Sequence, residues 1–191
     1  MKLIDLLKSL NIEETKAIEY VNRLKSIKIS KNEHFQMQEN IAKYMGYVKN
    51  GRFKYYKTDK DGNERTLWLN KSFPLIGDYH SFLKRTHAEL SVQAMEDYEV
   101  VLFTYDQMME LFNMNEDTLK FRAIIAERSM FGWRNIALSL HFDTGEERYI
   151  KLLNSYPDIE KEIPLKHIAS SLGISPETLS RIRKKNKNTQ L

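Results

Sequence analysis

Apolar residues recur at helical spacing from the start of the chain: Leu3, Leu6, Leu7 and Leu10, then Ile18, Val21 and Leu24. That period predicts helix over residues 1–26. From Ile27 to about residue 104 the pattern changes. Short β-branched and aromatic runs are separated by turn signals at Asn50-Gly51, Asp61-Gly62 and Ile76-Gly77-Asp78. Residues 44–49 and 52–58 flank Asn-Gly, and residues 64–69 follow Asp-Gly. Both junctions read as hairpins, because these dipeptides accept the positive φ of tight turns. Strands this short, with no helices alternating between them, predict an antiparallel β-roll of the barrel or jelly-roll kind.

After Tyr105 the strand texture stops. Residues 106–112 read as a short helix, and Glu116–Phe142 as a long one with no proline and one glycine, Gly132. Leu119, Ala123, Ala126, Met130, Trp133, Ala137 and Leu140 form one stripe on it; Phe121, Ile124, Phe131, Leu138 and Phe142 form a second. Positions 119 and 121 lie about 200° apart on a helical wheel. One exposed face needs only one apolar stripe, so two predict two neighbours. These are the helix's own β domain and a second copy of the helix in a parallel, heptad-like dimer, with Phe121, Ile124, Phe131, Leu138 and Phe142 as the candidate dimer contacts; the competing expectation is burial within a larger monomer. Asp143-Thr144-Gly145 breaks the pattern, and residues 146–155 form a further helix ended by Tyr156-Pro157. The expected class is α+β. Its divisions are a β-roll sensor domain with an N-terminal helix over 1–115, a dimerisation helix over 116–142 and an all-helical domain over 143–191.

The most specific spacing lies between Leu165 and Ile182. Ala169 is a small residue where two helices would touch, and Gly173 supplies a turn needing positive φ. Ile168, Leu172, Ile174, Leu179 and Ile182 would close a small core between them, and Ser175-Pro176 is a cap followed by a first-turn proline. This is helix-turn-helix grammar, in preference to a plain αα-hairpin. A helix of this kind meets base edges through its N-terminal turn. Glu177 can accept from cytosine N4 and Arg181 can pair with guanine. Lys166, Ser175, Pro176, Thr178 and Ser180 would lie within reach of bases or phosphates. Arg183, Lys184, Lys185 and Lys187 are the expected phosphate contacts.

Charge strengthens that reading. The chain has 191 residues, 30 Lys+Arg and 26 Asp+Glu, a net of +4. From Glu177 onward there are five basic residues and one acid, so residues 1–176 sum to zero. Basic residues at a helix C-terminus also complement its dipole, and lysine-rich ends are often simply solvated. Their coincidence with the helix-turn-helix pattern favours nucleic acid. No cysteine is present, which removes disulfides, thiolate clusters and cysteine nucleophiles from consideration. No apolar run approaches the ~18–20 residues of a membrane span, and the first ten residues read as a helix, not a signal peptide, so a cytoplasmic protein is expected. His34, His80 and His87 are scattered, and no nucleophile elbow or phosphate-binding glycine loop occurs, so no enzyme, metal or cofactor is expected.

A β-rich sensor, a long helix and a C-terminal helix-turn-helix in this order resemble the Crp/Fnr superfamily of bacterial transcription regulators. The hairpins at 48–56 and 59–68, Phe73-Pro-Leu-Ile-Gly77-Asp78 and residues 172–183 carry the resemblance. It implies a homodimer on a pseudo-palindromic operator, with Glu177 and Arg181 at base-contacting positions and Thr178 at a phosphate contact. Pro176 stands where the family has a second base-contacting arginine, so the operator should differ. The family's β-hairpin wing has no counterpart after Asn188, and the basic tail is the expected substitute. In cyclic-nucleotide binders Gly-Glu holds the ribose and Arg-Ser or Arg-Thr the cyclic phosphate. Here Gly77-Asp78 keeps a shortened carboxylate, and Ala88-Glu89 replaces the arginine pair, which should cost on the order of several kcal/mol of phosphate binding. Arg85 is the candidate substitute, and cyclic AMP binding in the usual way is not expected; the effector is left open. Contact with RNA polymerase would follow if the protein activates, although no motif for it is readable. The alternative is a small-molecule sensor whose helical tail contacts a protein.

Overall fold

The computed structural model describes residues 2–70 and 73–189. Two helices open the chain, α1 (Leu3–Ser9) and α2 (Glu14–Asn22). The expected single helical stretch is broken because Asn11 adopts φ 54°, and the first strand already begins at Lys25. The break is useful. Asn115 donates to the Leu10 carbonyl at 3.0 Å and Asn11 to Asp117 at 2.7 Å, which ties the α1–α2 turn to the start of the long helix.

Strands β1 (Lys25–Ile29), β2 (His34–Gln36), β3 (Met45–Tyr47), β4 (Phe53–Thr58), β5 (Glu64–Asn70) and β6 (Leu75–Ile76) follow, then helix α3 (Tyr79–Lys84) and strands β7 (Ser91–Ala94) and β8 (Tyr98–Phe103). They form two four-stranded sheets, ordered β1-β8-β3-β6 and β2-β7-β4-β5. This is the expected antiparallel β-roll. Asp61-Gly62 closes a hairpin between β4 and β5, with Gly62 at φ 83° and its N–H on the Asp59 carbonyl at 3.0 Å. Asn50-Gly51 does something else. It carries the chain from β3 in one sheet to β4 in the other, so the expected hairpin there is a crossing. Gly51 is required for space: a Cβ would meet Phe53 at 2.6 Å and Val48 at 2.8 Å.

Strand β8 explains a sequence feature. Val100 and Leu102 point into the roll beside Phe53 and Val92, while Phe103 joins the helical cluster that contains Leu7, Tyr20 and Phe112. A strand covered on both faces reads as a continuous apolar run.

Helix α4 (Tyr105–Phe112) is capped by Thr104 and Gln107, and α5 spans Glu116–Phe142. Asn115 and Thr118 exchange backbone-to-side-chain bonds at 3.0 and 2.9 Å, fixing the start of α5. Its rotation differs from expectation. The face on the β domain is Thr118, Phe121 and Ile125. Of the two apolar stripes only Phe121 packs there; Leu119, Ile124, Met130, Phe131, Trp133, Leu138, Leu140 and Phe142 are exposed.

Then come α6 (Gly145–Ser155), α7 (Ile159–Glu162), α8 (Leu165–Ser171) and α9 (Pro176–Thr189). The chain divides into two compact units, one of Met1–Glu64 with Trp68–Glu127 and one of Arg65–Leu67 with Arg128–Leu191. Buried side chains of the second include Tyr149, Ile159, Ile168, Ala169 and Leu179. Among the described residues no helix is long and apolar enough to cross a membrane.

Candidate nucleic-acid interface and sensor pocket

Helices α8 and α9 meet across the turn at residues 172–175. Ala169 is fully buried, and any larger side chain there would push the helices apart. Gly173 takes φ 65°, the left-handed conformation a side chain disfavours. Ser175 Oγ accepts the Thr178 N–H at 3.2 Å and so caps α9, leaving Pro176 as its first residue. Leu172 and Leu179 are buried, and Ile174 and Ile182 are half-buried beside Gly145 at the start of α6.

Around that core the outer side chains fall into two sets. Lys166, Ser175, Pro176, Glu177, Ser180, Arg181, Lys184 and Lys185 are exposed. Thr178 is half-buried, and its Oγ1 accepts from Arg181 Nη2 at 3.2 Å, which steadies the guanidinium. The Glu177 carboxyl is held below the ordinary glutamate range by its own backbone N–H at the helix start, by the Ser175 hydroxyl and by Arg181. It is therefore an ionised acceptor at neutral pH. Arg183, expected at a phosphate, is instead paired with Glu160, its Nε 2.6 Å from Oε1. Lys185 is 2.7 Å from Glu146 but remains mostly exposed. The Lys187 side chain lies outside the described residues, as do Gln190 and Leu191. Glu160 and Glu146 had no local signal, since each meets α9 from a different helix.

In the β-roll Asp78 and Glu89, both expected to face an effector, are bonded to each other, and the other expected residues have partners elsewhere in the domain. Gly77, at φ 128°, donates its N–H to the buried Tyr55 hydroxyl at 3.2 Å. Burial is the main reason that the Tyr55 phenol is pushed well above its ordinary pKa. Asp78 caps α3: Oδ1 accepts the Ser81 N–H at 3.2 Å. Its Oδ2 accepts the Ser81 hydroxyl at 2.8 Å and the Glu89 N–H at 3.0 Å. Ala88 is buried, donating to the Asn40 carbonyl and accepting from the Glu39 N–H, each at 2.7 Å. Glu89 is exposed. Arg85, the candidate substitute cation, ends α3 in the left-handed conformation and lies over the Tyr105 ring, 5.3 Å from its centroid. His34 bonds the Tyr56 hydroxyl at 2.7 Å and His87 the Glu39 carbonyl.

Asp78 therefore holds two segments, 78–81 and 89, through one carboxylate. Asp78→Ala leaves the buried Ser81 N–H and hydroxyl without their partner and should cost about 1–3 kcal/mol. Urea unfolding of the Asp78→Ala variant measures this, and an unchanged midpoint would show the cap to be dispensable.

Residues 26–115 match the cyclic nucleotide-binding domain family. No curated protein matches the chain. Among solved structures it is similar to FixK2 from Bradyrhizobium japonicum, at TM-score 0.74 and 16% identity over 87% of this chain and 86% of that one. It is similar also to the c-di-GMP-responsive global regulator CLP of Xanthomonas campestris, at TM-score 0.67 and 18% identity, covering 93% of each. A third likeness is to a chain from Eubacterium rectale described as a transcriptional regulator of the Crp/Fnr family, at TM-score 0.72 and 13% identity over 94% and 85%.

Proposed function

We propose that this chain, whose residues 26–115 are a cyclic nucleotide-binding domain and whose fold is that of the Crp/Fnr regulators, reads double-stranded DNA sequence through α9 to regulate transcription. The observation that carries this reading is the exposed face of α9. Glu177, Arg181 and Lys184 lie within about 60° of one another at ~100° per residue, on a helix whose other side is buried against α8. An acceptor and a forked donor for base edges thus share one face with a cation for the backbone. Lys166 adds a cation at the start of α8.

The protein acts as a homodimer on a pseudo-palindromic site. Support comes from α5, where Leu119, Ala123, Ala126, Met130, Trp133, Ala137 and Leu140 are all exposed in an uninterrupted heptad-like line. Such a line is unfavourable in water and is covered by a second copy of itself. Ile124, Phe131, Leu138 and Phe142 flank that seam, and Phe121 stays with its own core. The sensor domain does not take cyclic AMP in the usual way. The carboxylate that would meet a ribose is satisfied by Ser81 and Glu89, Ala88 offers no cation, and Arg85 is stacked on Tyr105.

Three measurements test this. Selection from a random duplex library, followed by anisotropy titration, should return a palindromic preference. Arg181→Ala should then lose about 1–3 kcal/mol at one base position of each half-site, whereas Lys184→Ala weakens all duplexes alike and lowers the log–log salt slope by about 0.9 per subunit. No preference for any duplex over random DNA defeats the reading. In sedimentation the wild type should run as a dimer and Met130→Glu as a monomer; a monomeric wild type at micromolar concentration removes the seam. Calorimetry with cyclic AMP should give no binding heat, and saturable binding would restore the nucleotide as effector.

A further inference from the structure

Arg183 leaves α9 on the side away from the reading face. Two residues beyond Arg181, it lies about 200° around the helix from it. There its Nε is 2.6 Å from Glu160 Oε1, and Nη2 donates to Oε2 at 3.1 Å. Both side chains are mostly hidden, at 25% and 24% exposure. The same carboxylate accepts the hydroxyl of the buried Tyr149 at 2.5 Å. Burial first, then Glu160, pushes the Tyr149 phenol up to about 12, so it remains a donor at neutral pH. Helices α6, α7 and α9 thus meet at one carboxylate, and its two partners come from the two helices that flank it.

We propose that Glu160 and Arg183 are positioning residues, a clamp that sets the rotation of α9 and so the aim of Glu177 and Arg181, and that Arg183 touches no phosphate. A guanidinium ion-paired with a half-buried carboxylate, with Nη2 hydrogen-bonded to it, has little charge left to release counterions from DNA. The alternative, a surface arginine that swings to a phosphate, would have to give up its ion pair with Glu160 in a half-buried site. The reading rests on the DNA-binding function proposed above, but the clamp itself can be measured without DNA.

The experiment uses the full chain, the selected duplex and three changes: Arg183→Gln, Arg183→Lys, and the swap of Arg183→Glu with Glu160→Arg. A clamp predicts that Arg183→Gln weakens specific binding roughly tenfold while the salt slope stays as in the wild type. Arg183→Lys should weaken it too, because a point-charge ammonium does not reproduce the planar guanidinium that fixes the side chain against Glu160. The swap should bind better than Arg183→Glu alone. Melting of the free protein should fall for Arg183→Gln and Glu160→Gln, and fall no further when the two are combined. A phosphate contact predicts the opposite pattern: Arg183→Gln lowers the salt slope by about 0.9 per subunit, Arg183→Lys binds normally and the swap binds no better than Arg183→Glu. That pattern overturns the clamp. If the wild type prefers no duplex, the DNA reading has failed, and additive melting losses would separately remove the clamp.

Discussion

Arg148 donates from Nε to the Leu172 carbonyl at 2.7 Å and from Nη1 to the carbonyls of Asp143 and Ser139 at 2.5 and 3.3 Å. Those acceptors are the C-terminal ends of α8 and α5, where helices leave carbonyls unsatisfied and carry partial negative charge. One guanidinium therefore closes two helix ends, with hydrogen bonds of the charged kind at ~1.5–3 kcal/mol each. The Leu172 carbonyl begins the turn that launches α9, so the origin of the reading helix is referred to the end of α5. The Asp143-Thr144-Gly145 break is stiffened on the same side. Thr144 and Glu147 form a capping box, and Lys151, then Ser139, hold the Asp143 carboxyl below its ordinary range.

A second constraint sits at the other end of α5. The reciprocal bonds of Asn115 and Thr118 set the phase of the helix at its first turn. Once Thr118 is buried, Phe121 and Ile125 must follow it inward at helical spacing, and the heptad-like line beginning at Leu119 must turn out. The apolar surface available to a second copy is thus chosen by a polar cap, not by the apolar residues themselves. That is why composition of the two stripes could not decide between them.

Features encoded within a few residues were legible in the sequence. Gly173, Ser175 and Pro176 announce a turn, a cap and a helix start because each acts on its own backbone. The β-roll was legible from short runs and turns. Asn50-Gly51 was misleading, since turn propensity says that the chain reverses but not whether both arms stay in one sheet; Phe53 and Val48 decide that through packing. Glu160 was invisible because its partner lies 23 residues away in another helix. Asp78 was read as a ligand contact from resemblance, although its spacing to Ser81 is also that of a helix cap. In the structure its carboxylate caps α3.

Asp78 and Glu160 are the same device used toward different ends. Each is a carboxylate shared between elements adjacent in space, and each withdraws groups that an outside partner could otherwise engage. At Asp78 the groups withdrawn are the Ser81 and Glu89 donors of the sensor, which leaves less for a phosphate to bind. At Glu160 the group withdrawn is one cation of α9. The basic surplus that first pointed to nucleic acid is therefore not presented whole. Glu160 covers Arg183, and Glu146 lies against Lys185. What the described part of α9 turns outward is a smaller, directed set: Arg181 steadied by Thr178, Glu177 held ionised, and Lys184 beside them. A diffuse basic tail would bind any polyanion. Subtracting charge on one face while fixing it on the other suits the sequence-reading role proposed for α9.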